Sequence, residues 1–149
     1  MEKFIKEALN KSLDRLLAND FEILINDVNE RTISHRLAIY LESYFPGWNI
    51  DCEYNRNHDD PKRLEIKRRN IESDDTHATT VYPDIIIHRR GTNDNLVVIE
   101  MKKTTSQEDD KYDIGKLCAF KKQLGYKYAF FIKVKTNGKA GIEEIKEIN

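Results

Sequence analysis

Residues 81–103 read VYPDIIIHRRGTNDNLVVIEMKK, in which two apolar runs, DIIIH and LVVIE, lie on either side of the segment GTNDN. Branched aliphatic runs of this kind are typical of strands buried on both faces. Gly, Asn and Asp favour the tight turns that join antiparallel strands. We therefore predict a β-hairpin with one strand in 81–90, a turn at 91–95 and a second strand in 96–103.

The elements around this hairpin follow from the spacing of apolar residues. Helical spacing predicts helices at 2–18, at about 28–45 and at about 109–124, and a short amphipathic helix at the C-terminal end. Alternation and apolar runs predict further strands at 48–56 and 126–134. The segment 21–26 fits either a continued helix or a short extended piece. Helices and strands mixed in this order predict one α/β domain over 1–149, with a mixed central sheet flanked by helices.

Residues 57–80 are polar and show no clear periodicity, which predicts a long irregular loop. The chain has 149 residues, of which 34% are charged and 39% apolar, and two are Cys. This composition excludes a disulfide scaffold and favours a reducing compartment, so we expect a cytoplasmic protein. No apolar run is long enough to span a bilayer, so we expect no membrane association.

The formal net charge is −1, which excludes a uniformly basic coat for nucleic acid. Residues 81–149 nevertheless carry 13 Lys and Arg against 10 Asp and Glu, so a local basic face stays open. The alternative is that these charges form ordinary solvated helix faces.

Three charged side chains interrupt the apolar hairpin at one end. Asp84 lies early in its first strand and Glu100 late in its second, so an antiparallel pairing places them nearly opposite each other. Alternation puts Glu100 and Lys102 on one face of their strand, with Met101 on the other. A carboxylate among aliphatic residues is costly unless it binds a cation or an ion partner.

Two neighbouring carboxylates suit a hard divalent cation such as Mg²⁺, which also takes ligands from water and from a substrate phosphate. The cation makes bound water more acidic and therefore more nucleophilic near neutral pH. A nearby lysine can assist this water or stabilise the charge that develops on phosphorus. These are the parts that hydrolysis of a phosphodiester requires. The alternative is an ordinary salt bridge of Lys102 with Asp84 or Glu100.

The residues Pro83-Asp84, followed after fifteen residues by Glu100-Met101-Lys102, resemble the motif of the PD-(D/E)XK nuclease superfamily. The resemblance implies a restriction-endonuclease-like domain and a nuclease that uses Mg²⁺ or Mn²⁺ on DNA or, less often, on RNA. It also implies that Asp84 and Glu100 are metal ligands, that the Met101 carbonyl supplies another oxygen, and that Lys102 is the catalytic lysine.

Many members of that superfamily place an additional acid on the first core helix, and the matching candidate here is Glu30. It lies three residues before Ile33, on the inward stripe of the predicted helix. The resemblance implies that Glu30 is a third metal ligand. The alternative is a capping box at 27–30, in which Glu30 satisfies the N-terminus of the helix.

Further basic and polar side chains are candidates for binding the nucleic-acid backbone. The resemblance points to a polar or basic residue on the helix after the Glu-x-Lys strand. Arg36 lies on the second predicted helix, where a surface role is the alternative, and the other candidates come from the basic segment before the motif strand, whose alternative is a solvent-exposed loop. The full set is Arg36, Lys62, Arg63, Lys67, Arg68, Arg69, Lys116 and Gln123. No separate recognition domain is evident, so we expect specificity to be low, structure-based, or supplied by a homodimer or a partner protein.

The alternative function is a nuclease-like fold that binds nucleic acid or protein without turnover. The nearly neutral net charge favours it. The complete acid–acid–lysine set favours the enzyme, because a binding module has little reason to retain buried charges.

Overall fold

The computed structural model of the chain describes residues 1–54, 63–67 and 76–149, with the backbone alone for 63–67 and 76–80. The helices are α1 (Glu2–Asn19), α2 (Phe21–Ile25), α3 (Glu30–Glu42) and α4 (Asp110–Leu124). The strands are β1 (Asn49–Cys52), β2 (Arg63–Lys67), β3 (Thr76–Thr80), β4 (Ile85–His88), β5 (Asn95–Lys103), β6 (Tyr128–Lys135) and β7 (Gly141–Glu147). A single 3-10 turn, Asn137–Lys139, joins β6 to β7.

Five strands form one mixed sheet in the order β1-β4-β5-β6-β7. The pair β5 and β6 is parallel, with α4 as the crossover between them, and the other neighbouring pairs are antiparallel. Helices pack against both faces of this sheet. The structure therefore confirms an α/β fold in which a mixed central sheet is flanked by helices.

The two faces of β5 pack against different helices, because successive side chains of a strand point to opposite faces. Met101 joins a hydrophobic core with Leu37 of α3 and Leu13 of α1. Val98 joins a second core with Leu117 and other residues of α4. The polar side chains at positions 100 and 102 share the face of Val98, so they lie between the sheet and α4.

Local capping fixes where the two site-bearing helices begin. The Asn29 side chain accepts a hydrogen bond of 2.9 Å from the Thr32 N–H at the start of α3. The Asp109 side chain accepts one of 2.9 Å from the Lys111 N–H at the start of α4. Gly125, with φ of +70°, ends α4 in the left-handed conformation that glycine adopts without strain.

Two sequence predictions are wrong. Residues 57–80 are not irregular throughout, because β2 and β3 within them pair antiparallel as a separate two-stranded sheet. The C-terminal segment is not a helix but strand β7, which pairs antiparallel with β6. Its Ile142 and Ile145 suit helical spacing, but the open edge of β6 offers backbone hydrogen bonds that a helix would leave unused. The ambiguous segment 21–26 contains the short helix α2.

Within the part of the chain that the structure describes, no helix is both long and apolar enough to cross a bilayer.

Candidate carboxylate and lysine site

The hairpin register brings two carboxylates together at one end. Ile85 pairs with Ile99, so Asp84 and Glu100 occupy the next position of the ladder. Glu100 Oε2 accepts a hydrogen bond of 3.1 Å from the Asp84 N–H. Asp84 Oδ2 accepts one of 2.8 Å from the Met101 N–H. The two acids thus converge, as the antiparallel hairpin predicts.

A third carboxylate reaches the same edge of β5 from helix α3. Glu30 Oε2 accepts a hydrogen bond of 2.8 Å from the Lys103 N–H. Strand β4 begins only at Ile85, which pairs with Ile99, so the β5 backbone after Ile99 has no strand partner on this side. Side chains accept hydrogen bonds from its N–H groups instead. The capping-box alternative is wrong, because Asn29 is the N-cap of α3 and Glu30 turns to β5.

The Met101 carbonyl faces this same edge. In a strand, the N–H and C=O of one residue point to the same side. The Met101 N–H points to Asp84, so its carbonyl also points past the end of β4, towards the carboxylates. The structure is therefore compatible with the predicted main-chain ligand.

The Glu100 carboxylate is the most deeply buried group of the site, with 1% of the residue exposed. Burial raises its pKa well above the ordinary value of 4.5, and the neighbouring Asp84 carboxylate raises it further. Burial also raises the pKa of Glu30, with Asp84 contributing in the same direction. Negative charge is thus disfavoured at this edge unless a cation compensates it.

These raised pKa values predict that the free energy of unfolding falls as the pH rises. Between the unfolded and folded pKa values, the folded chain retains protons that the unfolded chain has released. The stabilising contribution is complete below about pH 4.5 and is lost as pH rises through the folded values. We expect the melting temperature of the metal-free protein to fall as the pH rises above about 4.5, by roughly 3 °C for each 1 kcal/mol lost.

The variant Glu100→Gln removes the principal titrating group and keeps the side-chain volume. Its melting temperature should change much less as the pH rises, and thermal unfolding followed by circular dichroism measures the difference. Groups whose pKa is lowered, such as Asp51 and Asp110, act only in more acidic solution. Parallel pH profiles for wild type and variant would contradict the assignment.

The variant Glu30→Gln separates a metal ligand from a backbone cap. Glutamine retains an oxygen that accepts from the Lys103 N–H, so the free energy of unfolding should change by less than about 1 kcal/mol. It lacks the negative charge that a divalent cation needs, so the hydrolysis that the sequence motif predicts should be abolished. Thermal unfolding and a DNA hydrolysis assay measure the two effects. A large drop in melting temperature with hydrolysis retained would make Glu30 a cap of β5 alone.

Lys102 is held by helix α4 rather than by the carboxylate pair. Its Nζ lies 2.7 Å from Asp113 Oδ2 and 3.4 Å from Asp110 Oδ1, and it donates to the Glu108 carbonyl at 2.9 Å. The alternative of a salt bridge between Lys102 and Asp84 or Glu100 is therefore wrong. Neither aspartate was predicted from the sequence, although their spacing of three in the first turn of α4, directly after β5, is a signal that could have indicated them.

A different lysine contacts the carboxylate pair. Lys116, one turn further along α4, forms an ion pair with Glu100 Oε1 and donates a hydrogen bond of 2.6 Å to the Tyr82 carbonyl. Burial alone lowers its pKa, but Glu100 and Asp84 together raise the pKa above its ordinary value. Lys116 therefore lies beside the carboxylate pair, and its role in binding nucleic acid stays a prediction.

The remaining candidates are not brought to the carboxylates by a described contact. Arg36 donates to Asp20 Oδ2 at 3.0 Å and to the Tyr40 hydroxyl at 3.1 Å, which ties α3 to the start of α2. Gln123 is exposed near the end of α4. The other candidates lie outside the described side chains: Arg63 and Lys67 within β2, and Lys62, Arg68 and Arg69 outside the described residues altogether.

The oxygen-only donor set fits Mg²⁺ or Mn²⁺. Across residues 1–54 and 81–149, whose side chains are described, no three His, Cys, Asp or Glu converge into a complete metal site. Mg²⁺ does not require one, because it is usually bound through one or two carboxylates and completed by water and substrate phosphate. Asp84 and Glu100 supply that pair. Burial raises the pKa of Glu100, so a bound cation would stabilise its negative charge.

Comparison of the chain with protein-family models, with curated proteins and with solved structures gives no match.

Proposed function

We propose that this protein is a divalent-metal-dependent nuclease that hydrolyses phosphodiester bonds in nucleic acid, with DNA as the first substrate to test. The observation that supports the proposal is the carboxylate pair. Asp84 and Glu100 meet at the end of an apolar hairpin, where Glu100 is almost completely buried. Buried acids side by side weaken a fold unless they bind a cation, so their presence favours a functional role.

The proposed division of roles follows from the contacts. Asp84 and Glu100 would hold Mg²⁺ or Mn²⁺, with the Met101 carbonyl and Glu30 at the same edge as further oxygen ligands. When bound there, the cation supplies a Lewis acid for the phosphate and for the attacking water. The sequence motif assigns the assisting ammonium to Lys102, on the same face as Glu100.

In the proposed reaction, the oxygen of a water molecule bonds to phosphorus and one P–O ester bond breaks. The proton that the water loses passes to solvent, and the departing alkoxide takes up a proton from solvent. The protein contributes a site in which Glu100 and Lys116 are largely shielded from water, so that charge interactions with the phosphate are strong.

The proposal also covers the source of sequence specificity and the compartment in which the protein acts. The described residues form a five-stranded sheet with its helices and a two-stranded sheet, and we propose that sequence preference comes from a homodimer or from a partner protein. With two cysteines and no long apolar run in its sequence, the protein would act in the cytoplasm.

The proposal is tested by calorimetric titration of Mn²⁺ into the wild type and into Glu100→Gln. We expect binding in the wild type and none in the variant, because the variant lacks the buried negative charge. The same pair is then compared for hydrolysis of linear double-stranded DNA in the presence of Mn²⁺.

A matched control is Glu22→Gln, in which an exposed carboxylate of α2 is changed in the same way. It should bind Mn²⁺ like the wild type. If the wild type binds no Mn²⁺ even when DNA is present, the nuclease proposal fails.

The second candidate function is a binding module without turnover, and the charge pairing of the site favours it. Glu100 already has an ammonium partner in Lys116, and Lys102 has acidic partners of its own on α4. Such internal neutralisation would allow the site to be structural. Absence of Mn²⁺ binding, together with DNA binding that does not depend on metal, would favour this function.

A further inference from the structure

The two lysines between the sheet and α4 have different surroundings. An ammonium group has three hydrogens to donate. Those of Lys102 are surrounded by three acceptors, namely the Asp113 and Asp110 carboxylates and the Glu108 carbonyl. Its side chain is only 4% exposed. Releasing Lys102 would leave Asp113, which is 13% exposed, without its cation.

Lys116 instead reaches the carboxylate pair itself. Its ammonium contacts Glu100 Oε1, while the other oxygen of that carboxylate accepts from the Asp84 N–H. Its second bond, to the Tyr82 carbonyl, anchors it on the chain two residues before Asp84. The ammonium therefore stands next to both proposed metal ligands, and 12% of its side chain is exposed.

A divalent cation on Glu100 would compete with this ammonium for the same carboxylate. Two positive groups on one oxygen repel each other, so the cation would weaken the contact between Lys116 and Glu100. The bond to the Tyr82 carbonyl is independent of Glu100 and keeps Lys116 at the edge of the site. A phosphate oxygen arriving at the cation would then be the nearest negative group for the freed N–H.

We propose that Lys116, and not Lys102, is the catalytic lysine of this site, and that Lys102 is a structural residue that fastens α4 to β5. Before a cation binds, Lys116 forms the ion pair with Glu100. After a cation has bound, Lys116 donates a hydrogen bond to a non-bridging phosphate oxygen. It remains an ammonium throughout, so it gives up no proton. This inference rests on the proposed nuclease function and changes which lysine faces the substrate.

The test uses the full chain with Lys116→Met and Lys116→Arg, and Lys122→Met as a matched control at an exposed position of the same helix. Mn²⁺ alone is titrated by calorimetry, and hydrolysis of linear double-stranded DNA at saturating Mn²⁺ is measured per folded molecule. We expect Lys116→Met to bind Mn²⁺ about tenfold more tightly, because the competing ammonium is gone. Its hydrolysis should fall by about 100-fold or more, because a charged donor to the phosphate is lost.

Lys116→Arg keeps a cation beside Glu100 and therefore keeps the fold even if Lys116→Met does not. The wider guanidinium cannot take the same position, so we expect hydrolysis to fall about tenfold with little change in melting temperature. Lys122→Met should match the wild type in Mn²⁺ affinity and in hydrolysis.

Three results would overturn the inference. Hydrolysis by folded Lys116→Met or Lys116→Arg within about threefold of the wild-type rate would make Lys116 a structural ion partner. Unchanged or weaker Mn²⁺ binding by Lys116→Met would show that the ammonium does not compete with the cation. In both cases loss of Mn²⁺ binding in Glu100→Gln would leave the nuclease function standing. A wild type that neither binds Mn²⁺ nor hydrolyses DNA would remove the function and this inference with it.

Discussion

Replacing Asp84 by Asn is expected to abolish detectable Mn²⁺-dependent hydrolysis, with a loss of at least about 100-fold. Asparagine retains a side-chain oxygen that can accept from the Met101 N–H, so the hairpin end keeps its hydrogen bond. It removes one of the two negative charges that would bind the cation. It also removes the charge that helps to raise the pKa of Glu100, so the melting temperature of the metal-free protein should stay the same or rise.

The control for this prediction lies at the other end of the same hairpin. Asp94 is exposed in the turn and forms a salt bridge of 3.1 Å with Arg89. Asp94→Asn should leave hydrolysis unchanged and alter stability by less than about 1 kcal/mol, as is usual for an exposed ion pair. Equal rates in Asp84→Asn and Asp94→Asn would exclude Asp84 from the reaction.

Replacing Lys102 by Met is expected to lower the free energy of unfolding by about 3 kcal/mol. The reason is that Asp113 is largely buried and would lose the cation 2.7 Å from it. The double variant Lys102→Met with Asp113→Asn should recover part of the loss, because it removes the uncompensated charge as well. Urea unfolding followed by circular dichroism measures these differences.

Lys133→Met is the matched control, because Lys133 also pairs with α4, at 2.6 Å from Asp110 Oδ2. That pair is more exposed, so its loss should cost less than about 1 kcal/mol. If Lys102→Met instead keeps wild-type stability and loses hydrolysis, Lys102 is the reacting lysine that the sequence motif indicates.

Much of the fold can be predicted from the sequence because its signals are local. The turn residues at 91–95 and the apolar runs beside them predict the β4–β5 hairpin, and pairing in register then sets Asp84 opposite Glu100. Gly125 marks the end of α4 because it supplies the left-handed conformation found there. The prediction of a short helix at the C-terminal end, where the structure has strand β7, was wrong because the deciding signal there is not local. The isoleucine spacing of β7 suits a helix, and only the edge of β6 selects a strand.

Some features of the candidate site can likewise be predicted from the sequence, and others only from the tertiary structure. The sequence by itself determined that Asp84, Glu100 and Lys102 lie at one end of the hairpin and that Glu100 and Lys102 share a face. Only the tertiary structure decided which ammonium meets Glu100. Strand alternation predicts the face of the sheet on which Lys102 lies, but not its partners. Lys102 pairs with two aspartates in the first turn of α4, and Lys116 in the next turn pairs with Glu100.

The physical reason is the range of the interactions. Strand alternation and turn chemistry act between residues a few positions apart, so a single sequence reveals them. The bond between Glu30 and the Lys103 N–H joins residues 73 positions apart, and the pairing of Glu100 with Lys116 depends on how α4 packs over β5. The sequence therefore determined the acids of the site, whereas helix packing on the sheet decided their partners.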